Sequence, residues 1–191
     1  MNENKIVTLK SIKLILLGDN AVGKTSICNS LMGMQFEQNT LATIGYEKIE
    51  KAFKVENGKE IKVIIYDTAS QERFHSEALT LLKNVHGIIL IFDVTHRDLF
   101  DNIVRWMKDI KDNIDKPNIL LFGNKADKDK SKWQVTEEEV ANLTQKYNIK
   151  YFETSAKTNV NINEGFNYIV NICYNRFKEN NENVIYLNDI S

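Results

Sequence analysis

The chain alternates short apolar runs with longer segments in which apolar residues recur at helical spacing. Apolar runs of this length are typical of strands covered on both faces, whereas spacings of three and four residues are typical of a helix with one buried face. The apolar runs occupy residues 12–17, 87–94 and 119–122. The helical segments occupy residues 26–32, 99–114, 140–147 and 166–177. Strands that alternate with helices predict a mostly parallel sheet with helices on both faces.

Two further predicted strands, at residues 47–55 and 61–66, are separated by Asn57-Gly58. Asparagine and glycine tolerate the positive φ that a tight β-hairpin requires, so we expect these strands to pair. The hairpin adds one antiparallel edge strand, and a short strand at residues 150–154 completes the set. The predicted fold class is therefore α/β, with a mostly parallel six-stranded sheet, one antiparallel edge strand and helices on both faces.

Glycine and proline mark two predicted helix ends. Gly33 is expected to stop the first helix, and Pro117, the only proline in the chain, to end the long second helix. Between these helices, residues 35–46 have no clear period and are predicted to form a loop. Residues 78–82 are apolar enough to predict a short helix.

Capping signals predict where the last two helices begin. Thr136 precedes Glu139 by three residues, which is the spacing of a capping box. Asn161 and Glu164 repeat this arrangement before the final helical segment. In both cases an apolar helical face follows directly, so the pattern predicts two helices that pack on the sheet.

The length of 191 residues favours one domain with a sizeable core. We interpret residues 1–9 as an N-terminal extension, 10–178 as the folded domain and 179–191 as a polar tail that is expected to be mobile. A hydrophobic fraction of 42% and a charged fraction of 27% are ordinary for a globular protein. The net charge of −1 argues against a dedicated nucleic-acid binder, which would have a basic excess.

The remaining composition indicates a reduced, intracellular protein. No apolar run reaches the length of a membrane span, and the polar first residues do not resemble a signal peptide. Cys28 and Cys173 fall on apolar helical faces, so we expect reduced core residues rather than a disulfide or a metal site. The three histidines have no metal-ligand spacing.

Residues 18–25, G-D-N-A-V-G-K-T, lie between the first apolar run and the first helix. Gly18 and Gly23 lack a Cβ atom, so the backbone can curl round an anion and direct its N–H groups and the positive helix end at the charge. Lys24 is expected to reach the β- and γ-phosphates of a nucleotide, and the Thr25 hydroxyl to bind Mg²⁺. A glycine-containing turn that binds nothing is the alternative, and the flanking strand and helix argue against it.

A second polar cluster, N-K-A-D at residues 124–127, follows the third apolar run. Asp127 can accept two hydrogen bonds from N1–H and N2–H₂ of guanine, a donor pair that adenine lacks. We expect the Lys125 stem to lie along one face of the base, Phe36 to be a candidate for the other face, and the backbone N–H of Ala156 to meet O6.

In isolation such a cluster is often only a polar turn. Two further motifs follow the same order along the alternating strands, D-x-x-x-Q at residues 67–71 and S-A-K at residues 155–157. All of these motifs lie just past predicted strand ends, which is where parallel sheets bind ligands. Their combination favours a nucleotide site over coincidence.

In these motifs the chain resembles the Ras-like small GTPases, and among them most nearly the Rab branch, over about residues 10–177. The resemblance rests on G-D-N-A-V-G-K-T at 18–25, T-I-G at 43–45, D-T-A-S-Q-E-R-F at 67–74, H-G-I-I-L-I-F-D-V-T at 86–95, G-N-K-A-D at 123–127 and E-T-S-A-K at 153–157. It implies a P-loop NTPase fold and a switch that binds GTP or GDP with Mg²⁺, slowly hydrolyses GTP and regulates vesicle traffic through partners.

The resemblance also implies individual roles. Thr25 and Thr43 would bind Mg²⁺, Asp67 would hold the water shell of the metal, and Gln71 would be the catalytic residue that orients the attacking water. The residues placed against the nucleotide are Asp19, Asn20, Ala21, Val22, Gly23, Lys24, Thr25, Ser26, Phe36, Thr43, Ser70, Asn124, Lys125, Asp127, Ser155, Ala156 and Lys157. Residues 36–46 and 67–82 resemble two switches, ordered by the γ-phosphate and released after hydrolysis.

Two positions depart from the family pattern near the γ-phosphate. Ser70 stands where the family has the glycine of D-x-x-G, and its Cβ is expected to slow or bias the switch. Asn20 fills a position that is often occupied by something smaller. Gln71 therefore favours a switch enzyme, whereas Ser70 and Asn20 favour an interaction module that binds guanine nucleotide but has impaired hydrolysis. An adenine-nucleotide phosphotransferase is opposed by Asp127.

The expected partners are a nucleotide-exchange factor, a GTPase-activating protein and effectors, which would contact residues 37–47 and 67–82. The sequence I-G-Y-E-K at 44–48 departs from the Rab pattern, so the resemblance does not identify the partners. We expect a monomer in the cytoplasm. This chain ends without a cysteine that could be lipidated. We therefore expect a peripheral location on endomembranes only if the full-length protein has a lipidated tail.

Overall fold

The computed structural model describes residues 9–38, 43–56, 58–69 and 80–180. The strands are β1 (Ile12–Leu17), β2 (Tyr46–Lys54), β3 (Glu60–Thr68), β4 (Gly87–Asp93), β5 (Ile119–Asn124) and β6 (Lys150–Glu153). The helices are α1 (Lys24–Leu31), α2 (Arg97–Asp101), α3 (Ile103–Asn113), α4 (Glu137–Tyr147) and α5 (Ile162–Asn180), with a 3₁₀ turn at Lys130–Lys132. Strands and helices alternate along most of the chain, as the sequence pattern predicts.

The strands form one six-stranded sheet in the order β2-β3-β1-β4-β5-β6. β1 lies between β3 and β4, and both pairings are parallel. β5 and β6 continue the parallel sheet on one side, whereas β2 pairs antiparallel with β3 at the opposite edge. The predicted fold class, including the single antiparallel edge strand, is confirmed.

The central strands are mostly apolar because each of them faces two cores. In β1, Ile12, Leu14 and Leu16 belong to a cluster with α1 and α5, whereas Ile15 and Leu17 belong to a second cluster with α2, α3 and α4. Successive side chains of a strand point to opposite faces, so a strand with helices on both sides has no solvent face to fill with polar residues. Each fully buried aliphatic side chain contributes roughly 1.5–3 kcal/mol.

The long helix predicted over residues 99–114 is wrong in two respects. It is divided into α2 and α3 at Asn102, and it ends at Asn113, where Ile114 already has extended dihedrals of φ −134° and ψ 127°. The chain therefore leaves the helix before Pro117, which restricts the residues ahead of it but is not the helix terminator. The division at Asn102 coincides with a hydrogen bond from its side chain to Asp19.

The two predicted capping boxes differ in outcome. The Thr136 hydroxyl accepts a hydrogen bond from the backbone N–H of Glu139, and the Glu139 carboxylate accepts one from the backbone N–H of Thr136, as predicted for α4. Asn161 has a φ of 56° instead of the extended backbone of an N-cap, and its side-chain amide donates to the carbonyl of Glu153. It therefore ties α5 to β6 and does not repeat the capping box.

The remaining predictions agree in part with the described residues. α5 continues to Asn180, so the first two residues of the predicted tail are helical, and the other tail residues lie outside the described part. Residues 80–82 are helical, as predicted, whereas residues 78–79 are not described. Cys28 and Cys173 are buried free cysteines. Within the described ranges, none of the helices combines the length and apolar character that a membrane span needs.

Candidate functional site

The loop between β1 and α1 takes a shape that requires glycine at two positions. Gly18 has φ 140° and Gly23 has φ 99°, both in the region that favours glycine. A Cβ on Gly18 would overlap the carbonyl oxygen of Ile91, and one on Gly23 would overlap the side-chain amide of Asn124. The loop is therefore held close to β4 and to the end of β5.

Lys24 begins α1 and turns its ammonium group back into the loop. The side chain is buried, and Nζ donates to the carbonyl oxygens of Gly18 at 3.0 Å and Asp19 at 3.1 Å. Burial lowers the pKa of Lys24 from 10.5 to about 8. An anion bound in the loop would favour the charged ammonium and raise this pKa again, so the loop has the chemistry of a phosphate site.

Two threonine hydroxyls and one carboxylate meet beside the loop. Thr25 Oγ1 donates to Asp67 Oδ2 at 2.6 Å and lies 3.0 Å from Thr43 Oγ1. Burial raises the pKa of Asp67, and among the described residues its Oδ1 has no hydrogen-bond partner.

These three side chains fit a Mg²⁺ ion. Hydroxyl and carboxylate oxygens are the ligands that this hard cation takes in proteins, often with water between the metal and a carboxylate. A divalent cation would also stabilise the buried Asp67 charge and give its unpaired oxygen a partner. Thr25, Thr43 and Asp67 are the residues that would hold it.

A cavity of about 780 Å³ opens beyond the loop. This volume accommodates a nucleoside, since ligand pockets typically measure roughly 300–1,000 Å³. The cavity is lined by residues from the glycine loop, the first helix, the segment after that helix, the end of β5 and the loops that follow β5 and β6: Ala21, Gly23, Ser26, Phe36, Gln38, Asn124, Lys125, Asp127, Lys128, Ala156 and Lys157. Most of the residues that we predicted for the base therefore border one space, and Phe36 is 43% exposed at its rim.

Asn124 and Lys125 hold the glycine loop through its main chain. Asn124 Nδ2 donates to the carbonyl of Val22 at 2.8 Å, and Lys125 Nζ donates to the carbonyl of Ala21 at 2.8 Å. The Val22 side chain itself is fully buried in the core. The contribution of Val22 to the site is thus its backbone.

Asp93 is a site residue that the sequence reasoning missed. It is buried at the end of β4, where its Oδ2 lies 2.7 Å from Lys125 Nζ and its Oδ1 accepts hydrogen bonds from both the backbone and the hydroxyl of Thr95. Burial opposes ionisation of Asp93, but the bonds from Lys125 and Thr95 outweigh it and lower the pKa. A charged residue at the end of an otherwise apolar strand was the available signal.

The S-A-K loop, residues 155–157, orients the side chain of Asp127. Ser155 Oγ donates to Asp127 Oδ1 at 2.7 Å, which leaves the exposed carboxylate oriented at the cavity and still able to accept from a base. The backbone N–H of Ala156 donates to Asn124 Oδ1 at 3.2 Å. Guanine O6 would therefore have to share or replace that acceptor.

The four remaining predicted site residues are Asn20, Ser70, Gln71 and Asp19. Asn20 is exposed at the tip of the glycine loop. Ser70 and Gln71 lie outside the described residues, so their predicted contacts with the γ-phosphate and the attacking water stay predictions. The carboxylate of Asp19 points away from the loop interior and is bound by Asn102 and Trp106, two residues that the sequence reasoning did not associate with the site.

Comparison with known proteins gives consistent matches across this region. A sequence model of the Ras family matches residues 13–175. "Ras-related protein RABE1d" of Arabidopsis thaliana is 40% identical over 169 residues, which cover 88% of this chain and 78% of the relative. "Ras-related protein Rab-13" of Mesocricetus auratus is 39% identical over 156 residues, which cover 81% of this chain and 76% of the relative.

Proposed function

The chain belongs to the Ras family, whose members are GTPases, and we propose that it is a guanine-nucleotide-dependent switch that slowly hydrolyses GTP and regulates vesicle traffic through its partners. The observation that carries the proposal is the convergence of three chemistries at one edge of the sheet. A buried ammonium lies in a glycine loop, two hydroxyls and a carboxylate meet beside it, and a carboxylate borders the adjoining cavity.

Base selectivity is assigned to Asp127. Its carboxylate borders the cavity and is oriented by Ser155, so it can accept both edge donors of guanine. Adenine presents no such pair and would leave the carboxylate without a partner on the base. Discrimination of this kind is strong because an unpaired polar group in a site costs more than a good hydrogen bond gains.

The switch is assigned to the residues that meet the metal and the γ-phosphate. Thr43 lies within the first predicted switch, residues 36–46, and Asp67 is the first residue of the second, residues 67–82. Because both lie beside Thr25, a Mg²⁺ ion bound here would link the two segments to the phosphate loop. Loss of the γ-phosphate would release them, which is how the nucleotide would control partners that contact residues 37–47 and 67–82.

Hydrolysis is assigned to Gln71, which would orient the attacking water. Ser70 is expected to slow the reaction, because its Cβ disfavours the backbone geometries that glycine reaches beside the γ-phosphate. The second candidate function is a guanine-nucleotide-binding interaction module with impaired hydrolysis. The same serine, together with the exposed Asn20 in the phosphate loop, favours that reading.

Nucleotide competition and single-turnover hydrolysis test the proposal together. Wild-type protein is expected to bind GTP and GDP far more tightly than ATP, and equal affinities would rule out a GTPase. Hydrolysis is then compared at saturating Mg²⁺ for wild type, Ser70→Gly and Gln71→Leu. A faster Ser70→Gly variant supports the slow switch, whereas a rate that is negligible in wild type and unaffected by Gln71→Leu supports the interaction module.

The cellular role follows from the likeness to Rab proteins. We propose a monomer in the cytoplasm that acts at the surface of endomembranes, with an exchange factor, a GTPase-activating protein and effectors as its partners. Co-fractionation with membranes in the presence of GTP, compared with GDP, tests the location. Recovery in the soluble fraction with both nucleotides would argue against action at a membrane surface.

A further inference from the structure

Asp19 places a carboxylate in the phosphate-binding loop, directly after Gly18. Its side chain is only 13% exposed, so water screens the charge incompletely. A negative charge that could turn toward bound phosphate would oppose binding, and more strongly for a triphosphate than for a diphosphate. The orientation of this side chain therefore matters for affinity.

The Asp19 carboxylate is bound by α3 and the residue before it. Oδ2 accepts a hydrogen bond from Asn102 Nδ2 at 2.6 Å, and Oδ1 accepts one from the indole Nε1 of Trp106 at 2.8 Å. The Arg105 guanidinium lies 3.7 Å from Oδ1 and is 56% exposed, so it adds a weaker, screened attraction. Hydrogen bonds to an ionised acceptor are stronger than neutral ones, so Asn102 and Trp106 dominate.

The backbone at the start of α3 places Asn102 and Trp106 for their hydrogen bonds to Asp19. Asn102 separates α2 from α3, and its carbonyl accepts from the backbone of Arg105 and Trp106 while its side-chain amide reaches Asp19. Trp106 lies one turn further along α3 and is buried, so its ring packs in the core while its N–H donates to Asp19 in the loop.

The main chain of Asp19 is used in a different contact. Its carbonyl oxygen accepts from Lys24 Nζ at 3.1 Å, next to the 3.0 Å bond from the same ammonium to Gly18. One residue thus bonds to α3 through its carboxylate and to the phosphate-binding lysine through its carbonyl. Holding the carboxylate also limits how the carbonyl can rotate.

We propose that Asn102 and Trp106 are positioning residues for phosphate binding. They hold the Asp19 carboxylate away from the interior of the phosphate loop, where the phosphates would bind, and keep the backbone carbonyl of Asp19 directed at Lys24. The proposal rests on the proposed function, because it assumes that the loop receives the phosphates of a guanine nucleotide. It goes beyond that function by assigning to α3 a role in phosphate affinity that is electrostatic and separate from base selection.

Dissociation constants for GTP, GDP and ATP test this assignment in an Asn102→Ala/Trp106→Phe double variant. Phenylalanine retains an aromatic ring in the core but lacks the N–H donor. We expect GTP affinity to fall at least tenfold and GDP affinity to fall less, while the preference for GTP over ATP is unchanged. Adding Asp19→Asn to the double variant is expected to restore GTP affinity to within about threefold of wild type, because the misdirected charge is removed.

Asn113→Ala is the matched control, since it removes an amide that donates to the Asp109 carbonyl at the far end of the same helix. Its nucleotide affinities should equal those of wild type. Thermal unfolding is recorded for every variant, and if the double variant does not fold, Asn102→Ala and Trp106→Phe are measured singly with the same rescue, each with a loss of at least threefold expected.

Two results would overturn the proposal. Variants that fold and bind GTP as wild type does would show that the contacts are irrelevant to affinity. A loss that persists after Asp19→Asn is added would show a structural role without the electrostatic one. Failure of the proposed function is distinguishable, because in that case wild-type protein itself would not prefer GTP to ATP.

Discussion

The Asp93–Lys125 pair offers the sharpest test of how the site is held together. The two groups are 2.7 Å apart, with Asp93 1% exposed and Lys125 32% exposed. We consider Asp93→Asn, which keeps the shape of the side chain and removes its charge. The variant retains an oxygen for Thr95 but leaves the Lys125 ammonium without its anionic partner.

The magnitude follows from the burial of the pair. Breaking a fully buried ion pair costs about 3–5 kcal/mol, whereas a fully exposed pair contributes about 0–1 kcal/mol. Lys125 is one-third exposed and also bonds to Ala21, so we expect Asp93→Asn to lower the free energy of unfolding by about 2 kcal/mol. For a chain of this length that corresponds to a Tm lowered by roughly 4–8 °C.

Urea unfolding measures this loss, and the chain supplies a control of the same chemistry. Lys108 and Asp112 form an aspartate–lysine pair at 2.8 Å in which both side chains are more than half exposed. Asp112→Asn is expected to leave the free energy of unfolding close to that of wild type. Equal losses in Asp93→Asn and Asp112→Asn would refute the argument that burial makes the first pair important.

The same pair predicts a pH dependence. The hydrogen bonds from Lys125 and Thr95 lower the pKa of Asp93 below its ordinary value of 3.8. A group with a depressed folded-state pKa contributes its full stability above the unfolded-state value and loses it as the pH falls through the folded-state value. Because His96 Nδ1 also lies 3.2 Å from Asp93 Oδ2, the comparison is confined to acidic pH, below about 5. There the difference in unfolding free energy between wild type and Asp93→Asn should shrink as the pH falls below about 4. A difference that grows below about pH 4 would contradict the assignment.

Two further predictions concern the loops. Asn124→Ala should weaken GTP and ATP binding alike, because Asn124 holds the Val22 carbonyl of the phosphate loop, whereas Asp127→Ala should weaken the binding of guanine nucleotides only, by at least about tenfold. Competition titrations with GTP and ATP measure both effects, and an Asn124→Ala variant that loses affinity for GTP only would contradict the separate roles of the two residues. Gly23→Ala should abolish nucleotide binding, because its Cβ would overlap Asn124, whereas Gly33→Ala, also at positive φ but with nothing within 4 Å, should cost about 1 kcal/mol of stability and leave binding unchanged. Calorimetric titration measures nucleotide binding by both variants, and tight binding by Gly23→Ala would refute the steric argument.

The sheet and most of the site could be predicted because local and global signals agree there. The apolar runs of β1, β4 and β5 are buried on both faces, so strand type and layer arrangement follow from composition alone. Gly18 and Gly23 are required by backbone shape at positions that the loop motif also requires. The grouping of the candidate phosphate, metal and base residues therefore follows from motif order along parallel strands.

The contacts that the sequence did not reveal depend on distant parts of the chain. Asn102 lies at the boundary between α2 and α3 with helical dihedrals, and its side chain bonds to Asp19, which is 83 residues away. Asn161 lacks the predicted cap because its amide bonds to Glu153 across the turn between β6 and α5. Local propensity carries no information about either partner, so the pattern predicts an ordinary helix and an ordinary cap.

The strand order explains why the two loops of the site act together. Because β4 lies between β1 and β5, Asp93 at its end stands between the phosphate loop after β1 and the base loop after β5. It holds Lys125, which in turn holds the Ala21 carbonyl, while Asn124 holds the neighbouring Val22 carbonyl. Two side chains of the base motif are thus engaged in shaping the phosphate loop. Under the proposed function, selection of guanine would rest mainly on Asp127, and phosphate binding would depend on the base loop even for a ligand whose base makes poor contacts.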